Sequence, residues 1–259
     1  MDLGGASSTR SIGSAIFRCS TLRYGGRGAC ASSHEKRDMS LPFTPEQFLG
    51  VFAEYNETLW PVVVAFWLAS FGVLVATWRK PADHSRALTY LLVALWVWNA
   101  VAYHAWFFTT INPAAWLFGA VFVLQAAFLW TGARTRIEYF SSDGVMARVG
   151  ASLAVYALAY PFLTMALGHR YPAAPTFGVP CPTVILTIGL LLTARGGIPP
   201  LLAIVPVLWG FIGGSAAVLL DVPTDYVLLA GGALLTFAVL TRRGQDGGPS
   251  PRNSRRLQP

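Results

Sequence analysis

Residues 59–78, LWPVVVAFWLASFGVLVATW, decide the fold class, because this stretch contains no Asp, Glu, Lys or Arg. About 20 apolar residues in a helix are enough to cross the ~30 Å hydrocarbon core of a bilayer. Backbone polar groups in hydrocarbon must be satisfied internally, so a stretch of this kind forms a helix. The sequence therefore predicts a membrane-spanning helix at Leu59–Trp78.

Six further stretches have the same character and also lack Asp, Glu, Lys and Arg. They are Ala87–Phe108, Pro113–Ala133, Gly150–Gly168, Phe177–Ala194, Ile198–Leu220 and Tyr226–Thr241. The last has 16 residues and fits a bilayer least well. We therefore predict an all-α polytopic membrane protein, with about seven transmembrane helices in a domain over residues 58–241.

The composition of the 259-residue chain agrees with a membrane protein, since 54% of residues are hydrophobic and only 12% are charged. Soluble globular proteins carry about 25% charged residues. The composition excludes an ordinary soluble enzyme, a disordered chain and a disulfide scaffold. The net charge of +7 comes from basic residues in short connections between spans, so we expect the lipid bilayer as a partner and no nucleic acid.

The charges of the connections predict the orientation. If the connections are assigned alternately to two sides, one side holds twelve basic residues and the other holds only Arg170, counted from Met39. The acidic residues Glu46, Glu54, Glu57, Asp221 and Asp225 lie on the second side. The positive-inside rule places the basic side in the cytoplasm, which predicts an N-out/C-in topology.

The two ends of the chain differ from the spans. Residues 1–38 are rich in Ser, Gly and Arg, which predicts a disordered extension, such as a transit peptide, or a start codon assigned too early, with Met39 as the true start. Residues 242–259 are predicted to form a disordered basic cytoplasmic tail.

Residues 39–57 predict an outer interfacial amphipathic helix. Thr44 and Gln47 have the spacing of a capping box, and Phe43 and Phe48 have that of a hydrophobic staple. Phe48 and the residues Val51, Phe52 and Tyr55 share one helical face. This face either lies on the membrane surface or docks on the protein's own bundle.

Polar residues gather on the predicted outer side. His104 lies near the end of the second span, Asn112 follows it, and His169, Arg170 and Tyr171 lie in the proline-rich connection after the fourth. Intramembrane ionisable residues usually face the bundle interior. These five residues are the candidate outer-face polar site, and Glu54 and Asp221 are possible carboxylates for it. His104 is alternatively a neutral histidine bonded to a neighbouring helix or to interfacial water.

Other residues are predicted to hold helices together. Gly210 and Gly214 have the G-x-x-x-G spacing that lets another helix approach closely. Asn99 and Gln125 lie within the second and third spans, where an amide can form an interhelical hydrogen bond worth about 0.6 kcal/mol.

Several short strings carry a family resemblance. They are Leu41–Phe48 (LPFTPEQF), Asn112–Ala115 (NPAA), Gly168–Pro172 (GHRYP), Pro175–Gly178 (PTFG) and Gly213–Ala217 (GGSAA). Over about Met39–Leu240 the chain resembles a bacterial family of multi-pass membrane proteins of unknown function, sometimes labelled permease-like. The resemblance implies a multi-pass protein of the bacterial inner membrane and assigns no catalytic or binding residue.

Three classes of function remain open. The first is a permease-like or solute-binding protein with an outer polar vestibule for a small-molecule solute. The second is a membrane enzyme, or a metal or cofactor protein, that uses His104 and His169. The third is a non-catalytic accessory or assembly subunit. The sequence contains no P-loop, H-E-x-x-H or G-x-S-x-G motif. We therefore predict no cofactor, and we favour a protein that is not an enzyme.

Overall fold

The computed structural model describes residues 42–134, 137–195 and 198–246. These residues form seven α-helices and no strand. The helices are α1 (Pro45–Arg79), α2 (Pro81–Trp98), α3 (Ala115–Arg134), α4 (Val145–Ala166), α5 (Pro180–Thr193), α6 (Pro200–Leu219) and α7 (Val227–Asp246). A π-helical segment (Asn99–Phe107) and a 3-10 turn (Phe108–Thr110) continue α2, and a second 3-10 turn (Pro223–Asp225) precedes α7.

The predicted terminal segments fall largely outside these ranges. Residues 1–38 and 247–259 are not among the described residues. The helix α7 continues to Asp246, so the first residues assigned to the tail, which we predicted to begin at residue 242, are helical.

Six helical stretches are long and apolar enough to cross a membrane. Large apolar side chains cover their outer surface, with Trp78 at 70% exposed, Leu240 at 65% and Trp60 at 57%. Soluble monomers rarely expose contiguous apolar patches of more than a few hundred Å². Length, composition and surface therefore agree with a helical membrane protein.

The helix α5 is too short to be a seventh candidate span. It has 14 residues, a length of about 21 Å, and every residue except Cys181 is buried. We predicted that the last apolar stretch fits a bilayer least well. This prediction is wrong, because the residues from Pro223 to Thr241 are long and apolar enough to cross a membrane. A hydrophobic stretch of 10–14 residues is typical of a buried core helix, and α5 takes that place in the bundle.

The prediction of a separate amphipathic helix is wrong, because α1 is one continuous helix of 35 residues. No glycine or proline lies between Asn56 and Trp60, and Pro61 is accommodated inside the helix. The capping box between Thr44 and Gln47 is present, with hydrogen bonds of 2.8 and 3.2 Å. Val51, Phe52 and Tyr55 are buried, so this face docks on the bundle.

Close helix contacts and interhelical hydrogen bonds hold α5 in the core. A Cβ atom at Gly189 would lie 2.6 Å from the carbonyl oxygen of Gly150, so α4 and α5 nearly touch. The Trp96 indole donates to Thr187 Oγ1 at 2.9 Å, and the Asn99 amide donates to Thr183 Oγ1 at 3.0 Å. The Asn99 bond is interhelical, as predicted.

The α3–α4 connection packs at the end of the bundle where α2 begins and α5 ends. The main-chain N–H of Tyr139 donates to Ser85 Oγ, and that of Phe140 donates to Thr193 Oγ1. Burial raises the pKa of Tyr139 to about 12. This end carries the Arg195–Glu138 ion pair, at 3.9 Å.

Candidate functional site

A cavity of about 250 Å³ lies at the opposite end of the bundle, where α1, α3, α5 and α7 begin. Its walls come from the first turns of α1 and α5, from the last turns of α6, and from the turn Pro223–Asp225. Most of the lining is apolar or aromatic, with few polar groups among it. Ligand sites in proteins have this character.

Asp225 places a buried carboxyl group in the cavity wall. The residue is 5% exposed, and Oδ1 accepts a hydrogen bond of 2.6 Å from the Tyr160 hydroxyl. The Cys181 thiol also interacts with this carboxyl. Among the described residues, no Lys, Arg or His forms an ion pair with Asp225. Within the described part of the chain, the cavity therefore contains a desolvated acid without a counter-ion.

The backbone after α6 turns Asp225 inward. Asp221 adopts a left-handed conformation with φ of 53°, which Asp tolerates better than most residues. The Val222 N–H then donates to the Ala217 carbonyl, and the Asp225 N–H donates to the Val222 carbonyl. The Tyr156 hydroxyl donates to the Thr224 carbonyl at 2.8 Å. These bonds fix the turn against α4 and α6.

Trp209 on α6 contributes an unused donor to the same cavity. Its side chain is 8% exposed and lines the wall, and its Nε1 atom makes no hydrogen bond of ordinary geometry with any residue that the structure describes. The indole lies near the Cys181 thiol. A buried N–H without a strong acceptor costs free energy, so an acceptor group on a ligand would be favoured here.

Aromatic rings form another part of the wall. Phe43 stacks on Phe48 with a centroid distance of 5.8 Å, as the hydrophobic staple predicts. Tyr103 stacks on Phe52 at 5.6 Å and on Phe108 at 5.6 Å. The beginning of α1 is thereby joined to the end of the π-helical segment, and the cavity presents ring surfaces near Asp225.

His104 is buried inside a box of rings rather than in the cavity. The imidazole centroid lies 4.6 Å from Phe122, 5.2 Å from Trp209 and 5.9 Å from Phe118. Neither ring nitrogen has a hydrogen-bond partner among the described residues. The residue belongs to the π-helical segment, a feature that often marks functional sites.

Of the seven residues predicted for the polar site and its carboxylates, Asn112 alone lines the cavity. Its Oδ1 atom accepts the Ala114 N–H at 3.0 Å, so the side chain also caps the turn into α3. Glu54 and Asp221 are exposed on the surface.

The remaining predicted residues lie in the α4–α5 connection. His169 is partly buried and its Nδ1 atom has no partner, whereas Arg170 and Tyr171 are exposed. None of the three lines the cavity, so the structure does not bring His169 together with His104 there. In the described residues, no three His, Cys, Asp or Glu side chains are grouped so that they could hold a metal ion.

The α1 helix anchors the α4–α5 connection. The Asn56 amide donates to the carbonyls of Pro172 and Ala174, and its Oδ1 atom accepts from Thr176. The Tyr55 hydroxyl donates to the Gly178 carbonyl at 3.1 Å. Many polar groups at this end of the bundle thus satisfy one another.

The glycines of α6 face α7. A Cβ atom at Gly210 would lie 3.0 Å from Gly232 Cα, and one at Gly214 would lie 2.6 Å from Leu229 Cγ. These two positions bring α6 and α7 together behind the cavity wall. Gln125 reinforces the bundle from α3, since its amide donates to the Leu202 carbonyl at 3.0 Å.

Sequence reasoning considered Asp225 only as one of several outer carboxylates, and it missed Cys181 and Trp209, which line the cavity, and Tyr160, which bonds to Asp225. Two signals were present. Asp225 is an acid immediately before the last apolar stretch, and Cys181 is the only cysteine outside residues 1–38. Neither signal indicates that the two residues meet.

Comparison with known proteins gives a family but no activity. The model of a family of unknown function, DUF6064, matches residues 45–247, nearly the region over which the sequence strings carry their resemblance. No curated protein and no solved structure matches the chain. Because the family match spans well over half of the 259 residues, the chain belongs to the DUF6064 family of unknown function.

Proposed function

We propose that this chain is an integral membrane protein that binds a small, largely apolar solute in the cavity beside Asp225. The buried carboxyl group in an aromatic wall is the observation that carries the proposal. Ionisable residues within membrane helices are costly, and they generally mark ligand or ion sites. The cavity of about 250 Å³ limits the solute to a small molecule.

The proposal includes an orientation in the bacterial inner membrane, N-out and C-in, in which six membrane-length helices and the short buried helix α5 together connect the two sides seven times. In the described part of the chain, the cavity end of the bundle carries the exposed acids Glu54, on α1, and Asp221 and a single Lys or Arg residue, Arg170, while Arg79, Lys80 and Arg148 lie at the other end. The positive-inside rule then places the cavity on the outer face. The short helix α5 supports the odd number, because Cys181 lies at the cavity end and Thr193 at the other.

Solute binding fits the packing better than a continuous permeation path. Beneath the cavity, Phe122 packs against Trp209 at 4.8 Å and against Trp96 at 4.5 Å. Gln125 is fully buried, and its amide is used by the Leu202 carbonyl. We therefore propose a binding site on the outer face. Movement of the solute further into the bundle, as in a permease, would require these rings to separate.

An accessory role is the second candidate, and one observation favours it. Asn56 and Tyr55 use their polar atoms to hold the α4–α5 connection, so part of the outer polarity serves the fold. Under this alternative the cavity has no solute.

The test blocks the cavity by enlarging one side chain of its wall. The full-length protein is reconstituted in lipid nanodiscs and titrated with 2-phenylethanol by calorimetry, with empty nanodiscs as the blank. Saturable binding is expected for the wild type. It should be lost in Ala216→Phe, because Ala216 lines the cavity, and retained in Val218→Phe, because Val218 is 57% exposed on the same helix. Equal heats for wild type and Ala216→Phe would favour the accessory role.

A further inference from the structure

The cavity combines two features that select the charge of its ligand. Asp225 is 5% exposed and lacks a cationic partner in the described part of the chain. Aromatic rings, including Phe52, Tyr103 and Phe118, make up much of the wall.

A buried carboxylate is stabilised by a positive charge brought next to it, because charge-assisted hydrogen bonds are about twice as strong as neutral ones. The faces of aromatic rings attract cations as well, most strongly when water is excluded. An ordinary metal ion does not fit this wall, since Asp225 is the only carboxyl group among the described lining residues and most of the remaining surface is carbon. An organic ammonium group attached to a small apolar body satisfies both the acid and the rings.

We propose that the ligand of this cavity is a small organic cation, an aryl- or alkylammonium, whose ammonium group pairs with Asp225. This inference rests on the proposed function, since it assigns the chemical class of the solute. The Tyr160 hydroxyl already donates to Oδ1, so it holds the carboxyl in place while the ligand's N–H groups approach Oδ2. The apolar body lies against Phe52 and Phe118.

Three probes with the same phenyl group and different charges separate the possibilities. They are 2-phenylethylammonium, neutral 2-phenylethanol and anionic phenylacetate, each titrated into the reconstituted full-length protein at pH 7. The ammonium is expected to bind at least about tenfold more tightly than the alcohol, and phenylacetate is expected to bind more weakly than either. These comparisons use the wild type, so they do not depend on whether a variant folds.

Asp225→Asn provides the second measurement, because an amide oxygen still accepts from Tyr160 but carries no charge. The variant should lose about tenfold or more in affinity for 2-phenylethylammonium and keep its affinity for 2-phenylethanol. Asp221→Asn removes the same charge from an exposed position four residues earlier and should change neither affinity.

The outcomes separate this inference from the proposed function. If 2-phenylethanol binds as tightly as the ammonium, the cation inference is overturned and the solute site stands. If no probe binds saturably, both are overturned. If phenylacetate binds best, the carboxyl group is protonated and acts as a donor, which also overturns the inference.

Discussion

The hydroxyl of Tyr160 donates a 2.6 Å hydrogen bond to Asp225 Oδ1, linking α4 to the turn before α7 across 65 positions of sequence. Both residues are buried. The pair therefore fixes the position of the carboxyl group before any ligand arrives, which is the kind of supporting contact that a binding site needs.

Removal of this hydroxyl should be costly. Tyr160→Phe leaves the carboxyl without its donor, and hydrogen bonds to charged groups contribute about 1.5–3 kcal/mol. We expect a loss of that size in the free energy of unfolding, measured by denaturant titration of the reconstituted protein. Tyr156→Phe is the matched control, because its hydroxyl donates to the neutral Thr224 carbonyl and should cost about 0.5–1.5 kcal/mol. Equal losses of free energy in the two variants would show that the bond to Asp225 contributes no more than a hydrogen bond to a neutral acceptor.

The close contact between α4 and α5 should not tolerate a side chain at Gly189. In Gly189→Ala the new Cβ would lie 2.6 Å from the Gly150 carbonyl oxygen, which forces the helices apart. Overpacking of this kind costs about 1–3 kcal/mol, and we expect a lower unfolding temperature. Gly72→Ala has no neighbouring atom within 4 Å and should be neutral or slightly stabilising. A stable Gly189→Ala variant would mean that the two helices pack less closely.

His104 should be replaceable by phenylalanine. The imidazole makes no hydrogen bond in the described structure and contacts rings on several sides, so His104→Phe removes unsatisfied polar atoms and keeps the ring packing. We expect unchanged or higher stability in a thermal unfolding assay, with His104→Ala losing about 2–5 kcal/mol as a cavity control. A severe loss in His104→Phe would reveal a polar partner and a functional role for the imidazole.

The orientation can be measured in intact cells. Single cysteines are introduced as Tyr171→Cys and Lys80→Cys, two exposed positions at opposite ends of the bundle, in a background in which Cys19, Cys30 and Cys181 are all replaced by alanine. A membrane-impermeant maleimide should label position 171 in intact cells and position 80 only after permeabilisation. Labelling of both positions in intact cells, or of position 80 alone, would contradict the N-out/C-in topology.

Local features of the fold were predictable because they depend on neighbours in sequence. Thr44 and Gln47 form their capping box at a fixed spacing of three residues, and Phe43 meets Phe48 for the same reason. The seven apolar stretches could likewise be recognised from the absence of charged residues alone. Helix formation in hydrocarbon is obligatory, so apolar length alone predicts the elements.

The lengths of α5 and α7 and the composition of the site were not predictable in this way. Hydropathy does not distinguish a side chain that faces lipid from one that faces protein, so the buried helix α5 resembled a span. Asp225 becomes a site residue because Tyr160, Cys181 and Trp209 converge on the cavity from three helices. Such convergence depends on tertiary packing, about which spacing along one chain carries no information.

The uninterrupted α1 helix measures about 52 Å, well beyond the ~30 Å of a hydrocarbon core. Its first turns carry Phe48 and Phe52 into the cavity, while Leu68 and Trp78 on its second half are exposed. Membrane thickness changes helix tilt. A thicker or thinner bilayer would therefore change the tilt of α1 and move the residues that this helix contributes to the mouth of the cavity. Lipid acyl-chain length is therefore a variable to control whenever ligand occupancy is compared between preparations.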